Sequence, residues 1–318
     1  MSGTAATPTV STRFSARGWV LFGVMSLLWG LPYLFIKEAV DSFSPPAIVA
    51  GRTLIAALIL LPIALHRRAL RPALKFWPWV LAFGAIEMAG PFLLLGHAEQ
   101  TLPSGLTGLL VATVPLFAAV IAFTRGDRGV LRPARAAGLV IGFAGVAVIV
   151  AGPGLAAGGV TSLLAVGELL IVAVCYAVAP FIVATKLKDV PALGTITLSL
   201  AAVGLFYLPI GMLTQQEVPT TRSTVSLVAL GVLCTALAFM AFFALIAEVG
   251  PARAPLFTYV NPVVAIVLGT ILLGEDLTAG LIIGFPLVIL GCWLAATGGL
   301  VMRRAGPGPA PLGPPDVS

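Results

Sequence analysis

Charge is what this sequence has least of. Asp, Glu, Lys and Arg together make up 9% of its 318 residues, against roughly a quarter in soluble globular chains, and that shortage excludes an ordinary soluble domain. There are only 2 histidines and 3 cysteines. Cys175, Cys234 and Cys292 all fall inside apolar runs, with the spacing of neither a metal site nor a disulfide framework. They read as small core residues, and no metal or cofactor is expected. H-E-x-x-H, G-x-S-x-G and Walker sequences are missing as well, so no catalytic constellation is offered and the chain is read as a non-enzyme. The formal net charge of +6 comes without a basic face interleaved with aromatics, so nucleic acid is not an expected partner. Short alternating segments of the kind that build outer-membrane barrels are not seen either.

What is there is apolar: 59% of residues, with a mean hydropathy of +1.09. Runs of about 20 apolar residues match a bilayer core about 30 Å thick. Such runs occupy Trp19 to Ile36, Ala47 to Leu65, Phe76 to Gly96, Leu102 to Thr124, Ala134 to Ala151, Leu163 to Thr185, Ala192 to Leu213, Val225 to Ala247, Ala252 to Leu273 and Ala279 to Val301. The expected fold class is therefore an all-α integral membrane protein of ten transmembrane helices. More membrane follows the first run, so it reads as a retained span and not a cleaved signal. Residues 1–17 form an expected cytoplasmic tail, and the Pro/Gly-rich residues 303–318 an expected disordered one.

Lysine and arginine placement orients the spans, because short cytoplasmic loops collect them. Of the 18 Lys and Arg, 15 fall on one side if the N-terminus is cytoplasmic, two (Lys37 and Arg222) on the other, and Arg52 within a span. The expectation is a multi-pass protein of the cell membrane with both termini cytoplasmic.

The sequence also repeats. Leu110-Val-Ala-Thr-Val-Pro115-Leu-Phe-Ala-Ala-Val returns as Thr258-Tyr-Val-Asn-Pro262-Val-Val-Ala-Ile-Val, with Pro115 and Pro262 147 residues apart. Gly138-Leu-Val-Ile-Gly142-Phe143 returns 142 residues later as Gly280-Leu-Ile-Ile-Gly284-Phe285. Internal repeats set the architecture of a chain. Five spans per copy is an odd number, so the second copy, 161–302, enters the membrane from the side opposite to the first, 18–152. Two inverted five-helix repeats around a central cavity are the organisation of alternating-access carriers.

Trp29-Gly30, Pro45-Pro46 with Arg52, Pro115, Pro262 and Leu273-Gly-Glu275, met in that order across both halves, resemble the drug/metabolite transporter superfamily in its EamA-like ten-helix branch. The resemblance covers about Trp19 to Val301. It implies two inverted five-helix bundles around a central cavity and the carriage of small metabolites such as amino acids, often outward. One departure is Gly126-Asp127-Arg128 where the family commonly has Gly-Glu-Arg; acidic character is kept.

Arg52 is the sharpest candidate for chemistry, since insertion scales assign roughly 2.5–3.5 kcal/mol to an arginine at the centre of a span. Counted at 1.5 Å per residue, Arg52 lies ~9 Å inside the outer end of its span, Glu87 ~13 Å and Glu168 ~8 Å inside theirs. A shared depth would make a polar site in which Arg52 holds a substrate carboxylate and Glu87 or Glu168 exchanges protons. The structural alternative is a static Arg52–Glu87 pair, or a snorkelling Arg52 with an interfacial Glu168. Trp29, Tyr33, Tyr176 and Tyr259 are amphipathic aromatics near mid-span, with Trp29 and Tyr176 147 residues apart. They are candidates for lining a cavity. Asn261, beside the helix-breaking Pro262, is either a substrate-facing polar group or part of a kink satisfied by Thr258. Pro32, Pro91, Pro180 and Pro255 are candidate hinges. His97 and Glu99 read as water-facing residues at a span end. Gly138, Gly142, Gly280 and Gly284 spell two G-x-x-x-G helix-packing motifs, compatible with a monomer or a homodimer.

The function expected is a secondary transporter moving small metabolites, amino acids or similar amphipathic compounds, by alternating access, possible export and proton coupling included. The partners are a small-molecule substrate and the lipid bilayer. A lipid or lipid-linked sugar flippase of the same fold is the alternative, and a non-transporting scaffold the weaker one.

Overall fold

A backbone surrounded by lipid has no water to satisfy its N–H and C=O groups, so apolar spans close their hydrogen bonds within helices. The computed structural model describes residues 15–152, 159–250 and 253–298, and among them there is no strand. Ten helices are long and apolar enough to cross a membrane: α1 (Ala16–Ala39), α2 (Pro45–His66), α3 (Trp77–Glu99), α4 (Ser104–Thr124), α5 (Pro133–Val150), α6 (Gly159–Lys186), α7 (Ala192–Thr214), α8 (Thr221–Val249), α9 (Ala254–Leu273) and α10 (Ala279–Thr297). Their ends fall within four residues of those read from sequence. Residues 1–14 and 299–318, which hold the expected disordered tail and nearly all of the expected N-terminal one, lie outside the described residues.

Local chemistry starts and stops these helices. The side chains of Ser15, Ser44, Thr220 and Thr278 accept from the N–H groups of Gly18, Ala47, Ser223 and Leu281, satisfying donors that open a helix without partners. Gly274 and Gly298, at φ 67° and 72°, end α9 and α10 in the left-handed conformation that glycine adopts without penalty.

Several spans are interrupted, and the interruptions repeat. π-helical turns at Ala85–Ala89 in α3 and Val232–Leu237 in α8 begin 147 residues apart. The second segment of α4 starts at Val114 and the α-helical part of α9 at Asn261, again 147 apart, each one residue before its proline. α1 breaks at Trp29–Leu31 ahead of Pro32, and Pro255 sits in the 3-10 segment that opens α9. Pro180, by contrast, lies inside a continuous α6.

Packing carries the same symmetry. α2 packs on α7, α4 on α9, α5 on α10, α3 on α6 and α1 on α8. If each helix is exchanged for the one five places along, this set of pairs maps onto itself. Small residues bring α5 and α10 together. A Cβ on Gly138 would stand 2.5 Å from the Ala295 nitrogen, and one on Gly284 3.0 Å from the Gly145 oxygen. Gly142 makes room for Leu116 of α4 and also for α10, where a Cβ on Gly291 would run into the Gly142 backbone, while a Cβ on Gly280 would find only ordinary contacts at 3.5 Å and beyond. These contacts lie within one chain. Around the bundle, Leu58, Val140, Ile171, Leu205 and Ile271 stay exposed, as a lipid-facing surface requires.

Candidate functional site

Arg52 sits on the face of α2 that also buries Val49, Ala56 and Leu60, and only 5% of it is exposed. Its guanidinium carbon lies 3.8 Å from the centroid of the Phe92 ring, and Nε donates to Thr235 Oγ1 at 3.3 Å. Both partners lie in or just after a π turn. Phe92 follows the turn in α3, and Thr235 lies within the turn in α8, where its hydroxyl donates to the Leu230 carbonyl at 2.7 Å. Among the described residues no carboxylate pairs with Arg52, and its two terminal nitrogens find no acceptor. Tyr33, Tyr176, Cys234 and the Glu99 carboxyl lie close enough to the guanidinium to feel its charge, though Glu99 makes no bond to it. Gly108 of α4 lets the Tyr33 ring in, since a Cβ there would stand 3.2 Å from Cδ2.

The three charged residues expected to form one polar site make no hydrogen bond or ion pair with one another among the described residues. Glu87 is half-buried in the π turn of α3 and faces Tyr176 and Cys175 of α6, with no hydrogen bond or ion pair among the described residues. An Arg52–Glu87 pair is therefore not formed. Glu168 is taken up elsewhere: its Oε1 lies 2.8 Å from His97 Nδ1, with side-chain exposures of 21% and 60%. That pair ties α6 to α3 at the rim.

Trp29 and Asn261 belong to a second cluster. The Trp29 ring packs on Phe239, Phe242 and Phe257 at centroid distances of 5.8, 5.1 and 5.3 Å. With its amide turned to suit its neighbours, Asn261 donates to the carbonyls of Ser26 at 3.2 Å and Phe257 at 3.1 Å. Asn261 thus bridges α9 to α1. Thr258, expected to satisfy the kink, donates back to Pro255 instead, at 2.8 Å. Tyr259 reaches the Cys292 carbonyl of α10 at 3.5 Å.

One end of the bundle is tied across the two halves. Glu275, beyond α9, accepts from Ser104 N at 2.6 Å, Ser104 Oγ at 3.0 Å and Gly105 N at 3.0 Å, capping α4 from the other half. Glu38 of α1 binds Arg222 at 2.6 Å and Ser226 at 2.5 Å in α8. Ser44 N donates to Gln215 Oε1 at 2.9 Å. Beside Glu275 is a small cavity of about 100 Å³, lined by Thr101, Leu106, Thr270 and Thr278. At the opposite end Asp127, which occupies the place of Glu275 in the first half, accepts from Gly129 N at 2.8 Å and lies 3.6 Å from Arg135. It makes no bond across to α9 among the described residues. The contacts between halves there include Arg125 over the Phe181 ring at 4.5 Å, Lys186 over Trp79 at 4.8 Å, and Glu248 with Ser15 at 2.5 Å.

Glu99 departs furthest from expectation. Read as water-facing, it is fully buried at 0% exposure, with Lys37 of α1 closing on its backbone carbonyl at 2.6 Å. Phe92 and Thr235 were not singled out in the sequence at all. The available signal was their closeness to the π turns, and π turns leave no mark in composition.

Comparison with known proteins agrees with the repeat. The EamA-like transporter family matches twice, over residues 16–151 and 163–297, with five of the ten helices in each match. The uncharacterized inner membrane transporter YedA of Escherichia coli K12 is 30% identical over 266 residues, covering 81% of this chain and 84% of YedA. A probable terminal-alkyne amino-acid exporter of Streptantibioticus cattleyicolor is 26% identical over 295 residues, 92% of this chain and 95% of its own. A solved crystal structure superposes with a TM-score of 0.62 at 22% identity, covering 88% of this chain and 96% of its own, a likeness of fold.

Proposed function

Since the chain belongs to the EamA-like transporter family, within the drug/metabolite transporter superfamily, and is a multi-pass membrane transporter, we propose that it is a secondary transporter that exports small carboxylate-bearing metabolites, amino acids or similar amphipathic compounds, across the cell membrane by alternating access. The observation that carries this reading is Arg52: a buried guanidinium, stacked on Phe92, with both terminal nitrogens free of acceptors. Burying a charge without a partner costs several kcal/mol, so such a group calls for a ligand of opposite sign. A carboxylate meets the planar fork with two parallel hydrogen bonds. Tyr33 and Tyr176 add amphipathic walls, and in this reading Glu87, free of any ion pair, exchanges protons with the same region.

The halves 18–152 and 161–302 are inverted repeats in this reading, with both termini cytoplasmic. Glu275, Glu38 and His97–Glu168 then close the outer end, and the chain stands with its outer side shut. The S. cattleyicolor relative, named an amino-acid exporter, supports both the substrate class and the direction.

Thermal shift of the purified protein against a panel of amino acids, other small carboxylates, amines and lipids tests this. A ligand at 100 times its Kd stabilises the folded state by ~2.7 kcal/mol. Carboxylates are expected to raise the melting temperature of the wild type and not of Arg52→Gln. Hits confined to lipids would favour a flippase, and carboxylates acting equally on both proteins would remove Arg52 from the site.

A further inference from the structure

We propose that Glu99 is a proton-binding site built into the outer closure: shutting the outer end takes up one proton on the Glu99 carboxyl, and opening releases it to the outside water. The proposal rests on the alternating-access and orientation readings above. Both carboxylate oxygens of Glu99 are sealed from solvent and have no hydrogen-bond partner among the described residues. The neighbouring cation, Lys37, acts on the carboxylate by charge but makes no bond to it. Lys37 Nζ donates to the main-chain carbonyls of Glu99 at 2.6 Å and Leu102 at 3.1 Å, closing carbonyls that the C-terminal end of α3 leaves open.

The other groups facing Glu99 do no better. Arg52 on α2 acts on Glu99 by charge alone: its Nε goes to Thr235 and its face to Phe92, and its terminal nitrogens make no bond to the Glu99 carboxylate. Glu275, beyond α9, carries the same sign of charge, and Tyr33 on α1 carries none that helps. Glu168 on α6 and His97 on α3 are paired with each other. An ionised carboxylate left in such a place costs several kcal/mol, whereas the neutral acid does not carry that cost. The shut arrangement is therefore the one that holds the proton. Releasing Ser104 from Glu275 would wet the turn 100–103 that separates Glu99 from α4, and the carboxylate would then face water and Lys37. Because one proton separates the two states, their ratio changes by up to tenfold per pH unit, with outside acid favouring the shut state.

Leu106, 7% exposed beside the outer cavity, reports opening, and Val218, 90% exposed, serves as reference. Leu106→Cys and Val218→Cys are each labelled on intact cells with a membrane-impermeant maleimide between pH 5.5 and 8.5, and wild-type labelling is subtracted. Their ratio cancels the pH dependence of the thiol itself. It is expected to rise with pH, approaching tenfold per unit. Adding Glu99→Gln should hold it low and flat, while adding Glu168→Gln should leave the slope intact. A flat ratio with Glu99 in place overturns the proposal whatever the variants do, as does an unchanged slope with Glu99→Gln. Leu106→Cys that is never labelled at any pH overturns alternating access as well, which separates the two failures.

Discussion

Removing the carboxylate of Glu275 should open the outer end in proportion to the bonds it makes. In the shut structure it accepts from two main-chain N–H groups and one hydroxyl at the start of α4. In α4 those N–H groups belong to the first turn, which has no intrahelical acceptor for them. A side-chain cap is worth ~1 kcal/mol, within a range of about 0.5–2, and a negative charge at a helix N-terminus adds ~0.3–1 kcal/mol, near the low end here because Glu275 is half-exposed. Together these amount to ~1.5 kcal/mol, or roughly a tenfold shift in the ratio of open to shut. Glu275→Ala is thus expected to speed maleimide labelling of Leu106→Cys about tenfold at fixed pH. Glu275→Gln keeps an acceptor but not the charge, and should give about a twofold to threefold change. Labelling that does not respond to Glu275→Ala would refute the reasoning, since it would mean that the cap is equally intact in both states or that the outer end does not move.

Three further substitutions test other parts of the molecule. Arg52→Lys keeps the charge but loses the planar fork and the ring stacking, so carboxylate-induced thermal shifts should fall at least tenfold in apparent affinity; retained affinity would reduce Arg52 to a point charge. Trp29→Ala removes a half-buried ring packed on three phenylalanines and should destabilise the purified protein by roughly half of the ~3–5 kcal/mol lost at fully buried aromatics, read as a lowered melting temperature. Gly138→Leu drives a side chain into the α10 backbone and should abolish the monodisperse folded protein on size exclusion, whereas Gly280→Ala, which meets only ordinary contacts, should be tolerated.

How far the fold could be read in advance is seen in particular residues. Pro262 reads in sequence as a helix breaker and Pro115 only as its repeat partner, yet segments of α4 and α9 start one residue before each, because a proline removes a helix donor wherever it stands. Pro180 carries the same residue type in an unbroken α6, since neighbouring helices can absorb the lost bond. In sequence Glu168 groups with Arg52 and Glu87, and the structure gives it other company. Counting residues along a helix says nothing of which neighbour a side chain meets, and the partner of Glu168 is His97 on α3, not Arg52 on α2.

Sequence alone determined that this chain lives in a membrane, crosses it ten times and is built twice, because apolar length, charge placement and repetition are properties of a line of residues. Tertiary structure alone decided that Arg52 lies between Phe92 and Thr235, that Glu99 is sealed, and that Glu275 caps a helix of the other half. Each of those depends on rotation about a helix axis and on which helices meet. A single inserted residue in a π turn rotates all that follows by about 100°, so only packing could settle which side chains face one another.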